Sequence, residues 1–163
     1  MSPMSIPSPL EIHRSTVLPE WIDYNGHMNV AYYVLAFDQA TDAFLDYLGL
    51  DHAYKKKANV TTFVADMNVT YIREVVAGDP LRFTTQLLEF DDRKFRYFHS
   101  MYHAEEGWLA ATNELLSLHI DLSMRRVGPM APVILEKLRQ VLDAHSKLPP
   151  PRGAGRVLGM RRS

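Results

Sequence analysis

From Val30 to Leu48 the chain reads VAYYVLAFDQATDAFLDYL, and Gly49 follows. Tyr33, Phe37, Ala40, Phe44 and Tyr47 recur at spacings of four and three, the period of one helix face, which predicts an α-helix over 30–48. Gly49 offers the left-handed stop that such a helix needs. Asp38, Asp42 and Asp46 make only a narrow polar stripe, and the first half, VAYYVLAF, is apolar on nearly every side. A helix of that kind has to be enclosed by the rest of the fold.

What encloses it follows directly in the chain. Phe63, Ala65, Met67, Val69 and Tyr71 alternate with Thr62, Asp66, Asn68 and Thr70, a period of two that predicts a strand with the first set packed. Strand-like runs over 81–90, 94–104 and 108–121 come next, separated by AGDP, DDR and EEG, which have the length of hairpin turns. Successive short connections predict an antiparallel meander, because parallel neighbours need long crossovers. A weaker strand is expected over 12–21. A closing helix is expected over 131–145, with Val133, Ile134, Leu138, Val141 and Leu142 as its apolar stripe. The expected class is α+β: an antiparallel sheet wrapped around one long central helix, with a second helix at the C-terminal end. Pairing of two copies along an open sheet edge would cover that edge, so a symmetric dimer is expected.

Composition narrows the functions. With 163 residues, 47% hydrophobic and 23% charged, the chain is expected to hold one domain over 11–146, between an N-terminal tail over 1–10 and a basic tail over 147–163. Zero cysteines exclude disulfides, thiolate metal sites and a cysteine nucleophile. Eighteen basic residues against 19 acidic ones leave no footprint for nucleic acid or an anionic membrane, so a small-molecule partner is expected. No apolar run approaches the length that spans a bilayer, and prolines at 3, 7 and 9 interrupt any leader-like segment, which points to the cytoplasm. Gly153, Gly155 and Gly159 lack the strand and helix of a dinucleotide loop, and Arg152, Arg156, Arg161 and Arg162 read as a solvated tail.

The densest group of reactive side chains lies just before the long helix, in Trp21-Ile22-Asp23-Tyr24-Asn25-Gly26-His27-Met28-Asn29. A helix entrance presents unpaired N–H groups and a partial positive charge, which stabilise an anion or a carbonyl oxygen gaining charge. Gly26 lets backbone approach a ligand, and Asp23 can aim its carboxylate at water or at an acyl carbon held there. Turn and cap roles alone would also account for Asp23, Asn25 and Asn29. Two other constellations carry less. His99 and His103, four residues apart on one strand face, stand about 13 Å apart, too far to share a metal, and read as surface or pocket-wall residues. Ser100, Ser117 and Ser123 lack the elbow of a serine nucleophile.

The run DYNGHMNVAYY resembles the D-x-N-x-H-V-N-N-x-x-Y signature of plant acyl-ACP thioesterases and the D-x-x-G-H region of the 4-hydroxybenzoyl-CoA thioesterase family. Asp23, Asn25, His27, Asn29 and Tyr33 occupy signature positions, and Met28 and Val30 depart from it. The chain is also similar to small bacterial thioesterases of carnitine breakdown, which cleave betainyl-CoA. The resemblance covers residues 12–127. It implies the hotdog fold and hydrolysis of a small or medium acyl-CoA to free acid and coenzyme A, with no metal and no cofactor beyond coenzyme A as part of the substrate. Asp23 is then general base or nucleophile, Asn25 and His27 orient acid, water or carbonyl, and N–H groups near His27 and Met28 form the oxyanion site. Gly26, Asn29 and Tyr33 complete the substrate site, Thr61, Thr62 and Phe63 of a second subunit supply its wall, and assembly is a homodimer, a tetramer or larger. Arg93, Lys94, Arg125 and Arg126 are candidates for the coenzyme A phosphates. Trp21, Tyr24, Tyr32, Tyr33 and Phe37 are candidates for holding a trimethylammonium group. The alternatives are a hotdog enoyl-CoA hydratase, whose acid and histidine lie five residues apart and beyond the central helix, and an acyl-CoA-binding protein without activity.

Overall fold

The computed structural model describes residues 5–160. The elements are β1 (Leu10–Thr16), a single 3-10 turn (Pro19–Trp21), α1 (Val30–Leu48), α2 (His52–Ala58), β2 (Val60–Tyr71), β3 (Pro80–Phe90), β4 (Lys94–His103), β5 (Leu109–Asp121), β6 (Arg126–Val127) and α3 (Pro132–His145). The helix read from the sequence forms with the bounds expected, and Gly49 ends it at φ 90°. A side chain there would press on Ile134 of α3, so glycine serves both conformation and packing.

All strand pairs are antiparallel, in the order β1-β3-β4-β5-β2, with β6 on the end of β5. β3, β4 and β5 form the expected meander, but β2 does not precede β3 in it. β2 pairs with β5 at one edge of the sheet, and β1 pairs with β3 near the other. Residues 72–79, which end in the first three residues of the hairpin-like AGDP, are therefore a crossover from one side of the sheet to the other. Only long-range pairing separates the two readings, since the segment is short enough for either.

β2 also departs from simple alternation. A bulge between Val64 and Asp66 inserts Ala65 opposite no single partner, which reverses the side-chain parity along the strand. Val64 packs on the core before the bulge and Val69 after it, while Phe63 is 61% exposed. The expected packed face running from Phe63 to Tyr71 is thus broken, and Phe63, Met67 and Tyr71 remain accessible on an edge strand.

The core is two apolar clusters beneath α1. One gathers Leu10, Phe44, Leu48, Phe95, Leu115 and α3; the other gathers Val17, Trp21, Met28, Phe37, Phe83 and Met101. His99 bridges them, stacked on Phe37 and edge-on to Tyr97. Its Nε2 lies 2.9 Å from Thr41 Oγ1 and its Nδ1 2.8 Å from Thr85 Oγ1. Burial pushes this imidazole down to about 3, so it is neutral at physiological pH. His103 is buried too: it sits 3.5 Å from Asp79 and accepts the Glu106 N–H at 3.0 Å. Neither histidine is the surface or pocket-wall residue that strand spacing alone suggested, because β4 is a central strand with its inner face under α1.

The C-terminal segment, expected to be solvated, lies partly on the sheet. Gln86 donates to the Pro149 carbonyl at 3.4 Å, the Gly155 N–H meets both Glu114 oxygens at 2.7 and 3.0 Å, and Asn68 donates to the Arg156 carbonyl at 3.2 Å. Arg161 and Arg162 lie outside the described residues. Among the described residues, no helix is long and apolar enough to cross a membrane.

Candidate active site

Trp21 is buried, and its carbonyl accepts the Asn29 N–H at 2.9 Å; between them the chain makes a tight loop closed by Gly26 N–H to Asp23 carbonyl at 3.0 Å and Asp23 N–H to His27 carbonyl at 3.2 Å. Gly26 turns at φ 87°, where a side chain is strained. Asn29 caps α1, its Oδ1 accepting the Ala31 N–H at 2.9 Å. The same residue's Nδ2 donates to Asp23 Oδ2 at 3.4 Å, and the Asn25 backbone N–H donates to Asp23 Oδ1 at 2.8 Å. Asp23 is thus half-buried and held at both oxygens beside the entrance of α1.

The structure gathers Asp23, Asn25, His27 and Asn29 at the entrance of α1, and gives some of their atoms partners other than those expected. Asn25 acts on Asp23 through its backbone, while its side chain is exposed. Met28 is buried, and its N–H is committed to the Val75 carbonyl at 2.9 Å, which removes it from the oxyanion donors. Among the described residues, no backbone acceptor is found for the N–H groups of His27 and Val30. Tyr33 is buried edge-on to Tyr71, whose hydroxyl donates to the Val30 carbonyl at 3.1 Å. Burial raises both phenols above their ordinary value. Trp21 stacks on Tyr32, and Tyr24 is 97% exposed.

One residue beside the site escaped the sequence reading, and one of the lysines 55–57, which read as exposed charges, has a partner in an element that was not expected. Glu74, on the crossover, places Oε2 3.1 Å from His27 Nε2. Lys55, in the unforeseen α2, donates to Thr62 Oγ1 at 3.0 Å. A lone glutamate in a loop carries no spacing signal, and α2 buries nothing that would give it an apolar stripe.

The structure does not bring the basic candidates to Asp23. Lys94 pairs with Leu118 and Arg126 with Asp121, whereas the Tyr71 end of β2, which touches α1, pairs with Ala111. From Ala111 to Leu118 is roughly 23 Å of strand, so Arg93, Lys94, Arg125 and Arg126 lie at the opposite end of the same chain. Thr62 and Phe63 lie at that far end as well, paired with His119 and Leu118. A cavity of about 540 Å³ between β2, β5 and the C-terminal segment does not include Asp23.

A curled antiparallel sheet around one long helix, with a tethered carboxylate at the helix mouth, is the arrangement expected of a hotdog-fold thioester hydrolase. The model of the thioesterase-like superfamily matches residues 17–138, and the chain belongs to that family. It is 34% identical over 151 residues to a betainyl-CoA thioesterase of Pseudomonas aeruginosa, covering 93% of this chain and 95% of that one. It is 35% identical over 147 residues to an L-carnitine dehydrogenase/betainyl-CoA thioesterase of Agrobacterium fabrum, covering 90% of this chain but 30% of that longer protein. Among solved structures, a Staphylococcus aureus protein in complex with CoA superposes with a TM-score of 0.88 at 23% identity, over 97% of this chain and all of that one. The 1,4-dihydroxy-2-naphthoyl-CoA thioesterase of Synechocystis superposes with a TM-score of 0.70 at 14% identity, over 78% and 93% of the two chains.

Proposed function

We propose that this chain hydrolyses a short acyl-CoA, betainyl-CoA in particular, with Asp23 as the carboxylate that activates water or attacks the acyl carbon. The observation that carries this reading is the tether of Asp23 at the mouth of α1, in a chain matched along nearly its whole length by a betainyl-CoA thioesterase. A thioester carbonyl is weakly conjugated, so a carboxylate and a few oriented donors suffice. The His27 and Val30 N–H groups, aided by the α1 dipole, are the donors for the developing oxyanion. The reaction draws on no metal or resident cofactor, coenzyme A entering as part of the substrate.

The active unit is a dimer paired along β2. That strand offers an open edge with Phe63, Met67 and Tyr71 accessible. Two-fold antiparallel pairing of β2 with its copy brings the 61–63 end of one subunit against the Tyr71 end of the other, where Val30 and Asp23 lie. The wall formed by Thr62 and Phe63, and the phosphate contacts of Arg93, Lys94, Arg125 and Arg126, then come from the second subunit. The trimethylammonium group is held by aromatic faces such as Tyr24 and Tyr32, a contact worth about 0.5–2 kcal/mol.

The test is the rate of thiol release from betainyl-CoA against 3,3-dimethylbutanoyl-CoA, its uncharged carbon isostere. The expected kcat/KM ratio is about tenfold, the equivalent of roughly 1.4 kcal/mol. Equal rates would remove the cation preference, and no thiol from either compound would overturn hydrolysis.

A further inference from the structure

The crossover that replaces the expected hairpin grips the active loop at two consecutive residues. Val75, fully buried, accepts the Met28 N–H at 2.9 Å, and Glu74, next to it, places its carboxylate 3.1 Å from His27 Nε2. The crossover itself is fixed on both sides of Glu74. The Ile72 and Arg73 N–H groups donate to the Ala110 carbonyl at 2.9 and 3.0 Å, and the Val76 N–H donates to Asp79 Oδ2 at 2.9 Å. The Arg73 guanidinium lies 4.1 Å over the Trp108 ring. Glu74 is therefore presented to His27 from an anchored stretch of backbone, although its own side chain is 65% exposed.

A carboxylate can only accept a hydrogen bond, so its imidazole partner must carry a proton on the facing nitrogen. In the neutral ring that choice leaves the lone pair on the other nitrogen. We infer that Glu74 is a positioning residue for thioester cleavage, fixing the His27 ring with Nε2–H toward the crossover and Nδ1 as its basic nitrogen. This inference rests on the hydrolytic reading of the same site. Orienting carboxylates of this kind act on the tautomer and angle of a catalytic imidazole more than on stability. Glu74 can be removed without touching the backbone bonds of residues 72–76, so the fold should survive its loss.

The test uses Glu74→Ala alone and together with His27→Ala. Glu74→Ala is expected to lower kcat at least tenfold with KM within threefold, and to have no further effect once His27 is alanine. An unchanged kcat, or losses that multiply in the double variant, would overturn the inference. Ring-nitrogen NMR of His27 in its neutral form provides a readout that needs no turnover. In the wild type the two nitrogens are expected at the limiting positions of the Nε2–H form, and in Glu74→Ala they should move toward each other as the second tautomer fills. Unmoved nitrogens would overturn the inference. A wild type that releases no thiol would overturn the hydrolytic reading alone, and the ring-nitrogen comparison would still decide the place of Glu74.

Discussion

Asn29 joins fold and chemistry within one side chain. Its oxygen caps α1 and its nitrogen steadies Asp23, so Asn29→Ala should cost both. Loss of a cap of this type removes about 1 kcal/mol, which for a chain of this size lowers Tm by about 2–4 °C; a thermal melt checks the first effect, and a several-fold fall in kcat the second. A melt unchanged from wild type would show that the cap contributes nothing. His99 gives a pH dependence of definite sign. The unfolded imidazole takes a proton below its ordinary value of 6.5, whereas the folded one stays neutral down to about 3. Stability contributed by the neutral ring is therefore complete above pH 6.5 and declines through the window from 6.5 to 3, by about 1.4 kcal/mol per pH unit. Burial lowers His13 and His145 in the same direction. Melting temperature measured from pH 7.5 to 5 should fall more steeply for the wild type than for His99→Gln, which keeps a donor and an acceptor but no titrating ring. Parallel slopes would contradict this account.

Among the elements, β2 carries the sharpest test. Deleting Ala65 would restore uniform alternation and turn Val64 away from the cluster around Phe44 and Leu115, or else slip the pairing with β5. Withdrawing a partly buried valine from that cluster costs up to about 1.5 kcal/mol, so the deletion should melt a few degrees lower; an unchanged melt would show that the bulge is idle. The same strand marks the boundary of what the sequence discloses. α1 was legible to the residue because its apolar period runs unbroken over five turns and stops at a glycine. The reactive cluster was legible because residues 23–33 are contiguous and a helix start gives them a shared direction. The bulge and the crossover were not, since each is decided by which distant strand β2 meets. His99 was misplaced for a related reason: only its position opposite Thr41, 58 residues away, shows that a histidine on this strand is satisfied in the core.

At the scale of the whole molecule, Asp23 and the residues 62–63 and 93–94 lie at opposite ends of one sheet, so in the proposed dimer one chain holds the carboxylate and the second supplies the far wall and the phosphate contacts. Phe63→Asp, on the open edge and clear of the core, should therefore turn the dimer into a monomer by light scattering and lose thioesterase activity together with the partner; a monomer of full activity would contradict the shared site. In the proposed mechanism the carboxylate at the mouth of α1 performs the cleavage. The most direct test of that role is thiol release from betainyl-CoA by Asp23→Asn, in which the amide oxygen can still accept the Asn25 N–H and preserve the loop. Asp23→Asn should melt like the wild type with kcat reduced by about 10²–10⁴, the range for loss of a general acid or base, and betainyl-CoA hydrolysis by Asp23→Asn at the wild-type rate would rule that role out.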